Sequence, residues 1–528
     1  MQRKLTAVLC TLCWFLSSNL LVAAANGSEK YFKVVDPKGT SIHGAMLTWR
    51  DDKGLEHTQF TDAQGLGVMP LAGSGWQIRA AGYKAAKPER EAAEGVVTVR
   101  LESDTTFLAS LPSSHWMDLL PEGELKREFI INCLTCHEIG ESRVLVDGKP
   151  RDANYWLAAI TMMRVIDAFE VIPPDFDDKV VAAWLAEHLD QQAIDTLTPA
   201  NQPEPAAVSK LTITEYPLPH SDSLPHDLVV GPDGRIWITA FFYDQIWAMD
   251  PSSGDIQIYP VDDDAEVNAQ PRALKFDSDG FLWIVNGGTN AVVRLDTVTG
   301  QYESYDVQMY AHSLDLDPQG NIWVNDYFAK EERVARVSAA TGEVTILPIP
   351  AANRPKSEGV PLPYGLQVDR KGRLYSTQLA ANTLAVYDTV SGAGELVEMP
   401  HPNSGPRRPG LGPDGRLWIP EFNTGFLTAF DPDTGDFKRI DLGLSTLGAY
   451  DVEVDQKTGE VWISGSLDSS MLRYNPESGA IDRIPLPTEP AYTRHIAIDP
   501  KNGDVWTAYS SLPAAQPKVV RLRFGDKP

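Results

Sequence analysis

From about residue 208 to the C-terminus, apolar and polar positions alternate in short runs that stop at turn residues and start again about every 45 residues. Aligning the Gly-x-φ-Trp segments, φ being apolar, brings Trp237, Trp283, Trp323, Tyr375, Trp418, Trp462 and Trp506 into register. The spacings are 46, 40, 52, 43, 44 and 44 residues. Period-2 alternation in runs this short is the pattern of half-buried strands. Seven such units predict a seven-bladed β-propeller over residues 208–528. Most units are read as carrying an Asp-x-x-x-Gly turn before the Trp strand, and a Thr-Gly or Ser-Gly turn such as Thr299-Gly300 between the outer strands.

Upstream, Tyr31–Val35, Ala45–Trp49, Thr58–Phe60, Trp76–Ala80 and Val96–Leu101 have strand chemistry between Asp/Gly turns, so residues 28–104 predict a small β-sandwich. His43 and His57 read as surface residues. In residues 105–195 the period changes to that of helices. Glu122–Asn132 sets Leu125, Phe129 and Ile130 at core spacing, Asn154–Ala168 carries Trp156, and Asp177–Leu189 opens with acidic residues after Pro173-Pro174. Residues 196–207 form a Pro/Ala/Gln-rich linker. The expected class is multidomain and mainly β, with one α-helical domain between sandwich and propeller.

The first of those helices runs into Cys133-Leu134-Thr135-Cys136-His137. Two thiols at this spacing can each add to a haem vinyl group, and the adjacent histidine is placed to bind the iron, so Cys133 and Cys136 are expected to hold one covalent haem c with His137 as axial ligand. The chain has four cysteines, and Cys10 and Cys13 lie in a leader-like segment. The remaining pair is too few for a zinc site. These residues resemble the attachment motif of class I-type cytochrome c domains, and the resemblance implies a minimal cytochrome c fold of three helices around the haem.

Met162 and Met163 are the candidates for the second axial ligand. Adjacent helical residues point about 100° apart, so at most one of them faces the iron. Related cytochromes carry a Trp followed by an Arg-Met pair. Here the order is Met-Met-Arg164, which does not choose, whereas two helical turns from Trp156 favours Met163. Five-coordinate iron, Met117 and His188 are the alternatives.

Composition is that of a soluble globular protein, with 43% hydrophobic and 22% charged residues. Arg3 and Lys4, the apolar run Leu5 to Val22 and Ala23-Ala24-Ala25 predict a cleavable signal peptide over residues 1–25; an uncleaved N-terminal anchor is the alternative, and otherwise no stable membrane insertion is expected. Haem attachment and secretion together point to a periplasm. A net charge of −26, deeper by two once the leader leaves, argues against nucleic acid and anionic membrane as partners. It suits a basic redox partner, or a neutral or cationic small molecule.

Eleven residues before each aligned Trp stand His226, Arg272, His312, Tyr364, Arg407, Asp451 and His495; three after it stand Ala240, Asn286, Asp326, Gln378, Glu421, Gly465 and Tyr509. This polar register predicts a solvated channel mouth, with His226, His312, His495, Arg272 and Arg407 as candidate catalytic residues. Leu224-Pro225-His226-Asp227-Leu228, Ile236-Trp237-Ile238-Thr239 and Thr214-Glu215-Tyr216-Pro217-Leu218-Pro219 make the propeller resemble the virginiamycin B (streptogramin) lyases. That family implies a channel histidine as base and magnesium held by carboxylates two residues before and fourteen after it. The corresponding pairs here are Leu224 and Ala240 for His226, Tyr310 and Asp326 for His312, and Thr493 and Tyr509 for His495, so the constellation is not reproduced on one blade. A Mg2+ or Ca2+ site from Asp326, Glu421 and Asn286 has no support in spacing. Residues 28–104, through Val35-Asp36, Gly44-Ala45, Thr61-Asp62 and Ala81-Gly82-Tyr83, resemble carboxypeptidase regulatory-like, transthyretin-like domains. The expected function is haem-linked electron transfer or oxidoreduction, the propeller binding a small molecule or redox partner. A lyase or hydrolase on the propeller, and a non-catalytic haem sensor, are the alternatives.

Overall fold

The computed structural model describes residues 29–88, 96–135, 137–165, 172, 176–261, 268–328, 333–348, 362–511 and 516–525. The leader with Cys10 and Cys13, and Cys136, lie outside them. Six strands form before residue 101: β1 (Glu29–Val35), β2 (Met46–Arg50), β3 (Glu56–Phe60), β4 (Leu66–Pro70), β5 (Ser74–Arg79) and β6 (Val96–Arg100). One sheet has the order β4-β1-β6, and the second runs β3-β2-β5. Phe32, Leu47, Trp49, Trp76 and Ile78 fill the space between them.

The second sheet does not end at β3. It pairs antiparallel with β7 (Leu211–Pro217), Thr58 opposite Ile213 and Glu56 opposite Glu215. His57 is therefore not a surface residue: its ring bonds Thr214 Oγ1 and Asp51, each at 3.1 Å.

Beyond β7, six four-stranded antiparallel sheets follow in chain order. A seventh blade, Ala497–Ile498, Val505–Ala508 and Lys518–Phe524, takes β7 as its outer strand, so the N-terminal strand of the repeat region closes the ring against the C-terminal one. The repeated Asp and aromatic residues form one device. Asp317 Oδ1 accepts the backbone N–H groups of Gln319 and Asn321, while Oδ2 accepts Trp323 Nε1 at 2.9 Å. Asp277 does the same for Trp283, and Asp369 takes the Tyr375 hydroxyl. Turn and core are thereby tied together under a buried ring.

The turn has two lengths. It is Asp-x-x-Gly in blades two to four, as at Asp277 to Gly280, and Asp-x-x-x-Gly at Asp455 to Gly459 and Asp499 to Gly503. The extra residue shifts the count along the inner strand. Each inner strand pairs, breaks register for two residues, or three in blades five and seven, then pairs again, as between Pro225 and Leu228 or Ala449 and Val452. The first residue of that break is His226, Arg272, His312, Tyr364 or Arg407 in blades one to five. In blades six and seven it is Tyr450 and Arg494, so Asp451 and His495 stand one place deeper.

Residues 105–195 contain three longer helices: α1 (Glu124–Cys133), α2 (Ala153–Val165) and α3 (Asp178–His188). Asp177 caps α3, its carboxylate accepting the N–H groups of Lys179 and Val180. Phe129, Trp156, Trp184 and Leu185 are buried here, in one cluster with Tyr364, Phe422, Tyr450 and Tyr492 of the propeller. Helices and propeller share a core. Among the described residues no helix is long and apolar enough to cross a membrane.

Candidate functional site at the propeller mouth

Leu134 and Thr135 lie on the propeller mouth. Tyr492 donates from its hydroxyl to the carbonyls of Leu134 and Thr135, both at 2.9 Å. Arg407 donates from Nη2 to Thr135 Oγ1 at 3.1 Å. Its guanidinium is fully buried between aromatic faces, 3.6 Å from the Phe422 ring centre and 4.3 Å from that of Tyr450. Tyr450 and Tyr364 bond hydroxyl to hydroxyl, and Arg494 Nη1 reaches Tyr450 at 3.1 Å. The seam continues at Ser114, bonded to Leu467 and Asp468.

Within the motif, Cys133 ends α1. His137 Nδ1 lies 2.9 Å from the Glu138 carbonyl, which can only accept, so Nδ1 carries the proton and Nε2 the lone pair. Burial, reinforced by Arg143, lowers the imidazole to about 4, so it is neutral at physiological pH. Met163 packs on the shared core, as Cys133 does, whereas Met162 is 52% exposed. Arg164 turns away to pair with Asp178 at 2.7 Å. Met117 is buried in the core and His188 stands edge-on to Trp184.

Two histidines line the mouth on the other side. His226 Nδ1 is 2.7 Å from Asp227 Oδ1, a dyad that fixes the proton on Nδ1 and leaves Nε2 as a base. Burial lowers His226 to about 3 despite the carboxylate. Burial opposes ionisation of Asp227 too, yet Arg408, at 2.7 Å, and the nearby histidines hold it well below the carboxylate range. His312 Nδ1 lies 3.0 Å from the Tyr364 carbonyl, and its ring is 5.8 Å from that of His226. Burial and Arg272 keep His312 neutral. Arg272 itself bonds the Tyr310 hydroxyl and stands 4.9 Å over Phe241.

The structure thus brings His226, His312, Arg272 and Arg407 to one mouth. The fifth candidate, His495, sits one residue too deep, its Nε2 4.0 Å from Asp227 on the opposite side of that carboxylate. Sequence reasoning missed Arg494, Tyr450 and Tyr492, and read Asp227 only as part of a family match.

The chain's propeller matches the virginiamycin B lyase family over residues 207–385. Among solved structures it is similar to a streptogramin B lyase, at 21% identity over 60% of this chain and 98% of that one, with a TM-score of 0.53. The virginiamycin B lyase of Staphylococcus aureus is similar at 19% identity over 60% of this chain and 100% of that one, TM-score 0.52. A catalytically inactive variant of the same enzyme with quinupristin gives equal values. No curated protein matches the chain significantly. At these identities the likeness is one of fold.

The carboxylates that could hold a divalent cation are otherwise engaged. Burial raises Glu421, but Arg439, Thr424 and Thr428 bond it and bring it below its usual range. Asp326 pairs with Arg333 at 2.6 Å, although burial still leaves it raised. Among the described residues no group of three or more His, Cys, Asp or Glu side chains could hold a metal ion.

Proposed function

We propose that the chain is a secreted c-type mono-haem protein of electron transfer, whose propeller seats the haem-bearing segment and couples it to a small molecule or redox partner. The observation carrying this reading is the anchoring of Leu134-Thr135 by Tyr492 and Arg407. That anchoring supports the reading by holding Leu134-Thr135 at the mouth that His226, His312, Arg272 and Arg407 share. The donor set fits a haem: a thiol at Cys133, a neutral His137 with Nε2 free to donate, and Met163 on α2. Buried donors with no partner among the described residues, Trp116 Nε1, Trp156 Nε1 and Arg151 Nε, suit the propionate carboxylates. When bound, the haem would supply a one-electron couple, raised in potential by a thioether ligand. Around it, Tyr492 and Arg407 hold the motif's backbone. The His226–Asp227 pair presents a neutral imidazole whose Nε2 can accept a hydrogen bond from a bound molecule. The leader and negative charge support a periplasmic address and a basic partner.

Visible spectra of the secreted protein, oxidised and dithionite-reduced, test this reading. A low-spin c-type spectrum is expected, with a methionine-to-iron band lost in Met163→Ala and kept in Met162→Ala. Its reduction by some periplasmic extracts or small reductants is expected too. A haemless protein, or a haem that nothing reduces, would refute it.

The His226–Asp227 dyad and the propeller's likeness to the lyases favour a second reading, elimination with His226 as general base. Turnover that leaves the haem spectrum unchanged and vanishes in His226→Ala would select it.

A further inference from the structure

On the propeller axis, on the face away from the helices, inner strands of all seven blades enclose a chamber of about 230 Å³. Arg408 reaches into it with only 5% of its surface exposed. Its Nη1 is committed to Asp227, whereas Nε and Nη2 have no partner among the described residues. Those two N–H groups point the same way and form the edge of the guanidinium that accepts a carboxylate side-on. His495 Nδ1, lining the same chamber, is also buried without a partner. The other cation present, Lys275, is engaged by Asp315. We propose that this chamber binds a short-chain monocarboxylate, its two oxygens on the Nε–Nη2 edge of Arg408 and one of them within reach of His495.

The remaining walls set the class of ligand. Val229, Leu274 and Leu366 line the chamber and suit a short alkyl tail. Asp451 and Glu453 also line it and oppose each added negative charge, so a dianion such as phosphate is disfavoured more than a monocarboxylate. Asp227 separates this chamber from the mouth, so the site does not depend on whether haem is attached.

Isothermal titration calorimetry of the full secreted chain with sodium acetate, and in parallel with sodium phosphate, tests the assignment. Acetate should bind with a stoichiometry of one and phosphate more weakly. Arg408→Lys keeps the charge but removes the fork, and should weaken acetate by about tenfold or more. At pH 8, where Glu453 is ionised, Glu453→Gln removes a repelling charge and should tighten acetate several-fold; this variant decides the matter if Arg408→Lys does not fold. No saturable acetate heat, or acetate binding that neither variant changes, would overturn the proposal.

Discussion

Asp227 is where the two sides of the channel meet: one oxygen orients His226 and the other neutralises Arg408. Replacing it by alanine strips both partners at once and leaves a guanidinium buried without a counter-charge. Asp227→Ala should therefore cost about 3–5 kcal/mol, read as a lowered thermal transition. Glu453 follows the opposite logic. Burial raises it to about 7 from an ordinary value near 4.5, only partly offset by Lys275. The folded chain thus holds this proton more tightly than the unfolded one does. The stabilising effect is complete below about pH 4.5 and is lost as pH rises through 7. Glu453→Gln should match the wild type in stability at pH 4 and exceed it at pH 8 by roughly 1–3 kcal/mol, discounted for partial exposure. Parallel thermal melts across this range would check the sign.

The repeating element is a hairpin in which an aspartate ties a turn to a buried ring. Asp317→Ala leaves Trp323 Nε1 and two backbone N–H groups without their acceptor, and should cost about 2–4 kcal/mol. A melt followed by tryptophan fluorescence should show the propeller transition falling by about 2–4 °C per kcal/mol. The aromatic at the centre of each hairpin was legible in the chain because burial forces it to recur. The residues facing the channel were less so. Counting back from Trp462 and Trp506 assumes a constant turn, but Asp455 and Asp499 open turns one residue longer than that of Asp277. The count therefore lands on Asp451 and His495, and the mouth positions fall to Tyr450 and Arg494. The signal was present as the extra residue between Asp and Trp. Only strand pairing shows that it is absorbed in the turn.

At the scale of the whole molecule, periodicity finds the blades but cannot show what rests on them. Tyr492 and Leu134 are 358 residues apart, and no local pattern links them. Tyr492→Phe should leave two buried carbonyls without their donor. It should raise amide exchange through residues 105–197 while the blade hairpins keep their protection, as exchange mass spectrometry can read. The β3–β7 pairing has a similar reach: a chain beginning after residue 104 would expose β7 as a free edge, and light scattering should then report self-association.

Ring closure by β7 also imposes a timetable. The strand that closes the propeller is made before every blade, while its partner Lys518–Phe524 is made after the other six, so the ring stays open until that partner is in place. Leu134 and Thr135 emerge ahead of every blade, and Arg407 and Tyr492, which later bond them, arrive hundreds of residues behind. The contacts that fix Leu134 and Thr135 therefore form late: α1 is made long before the last blade, whose Tyr492 completes them.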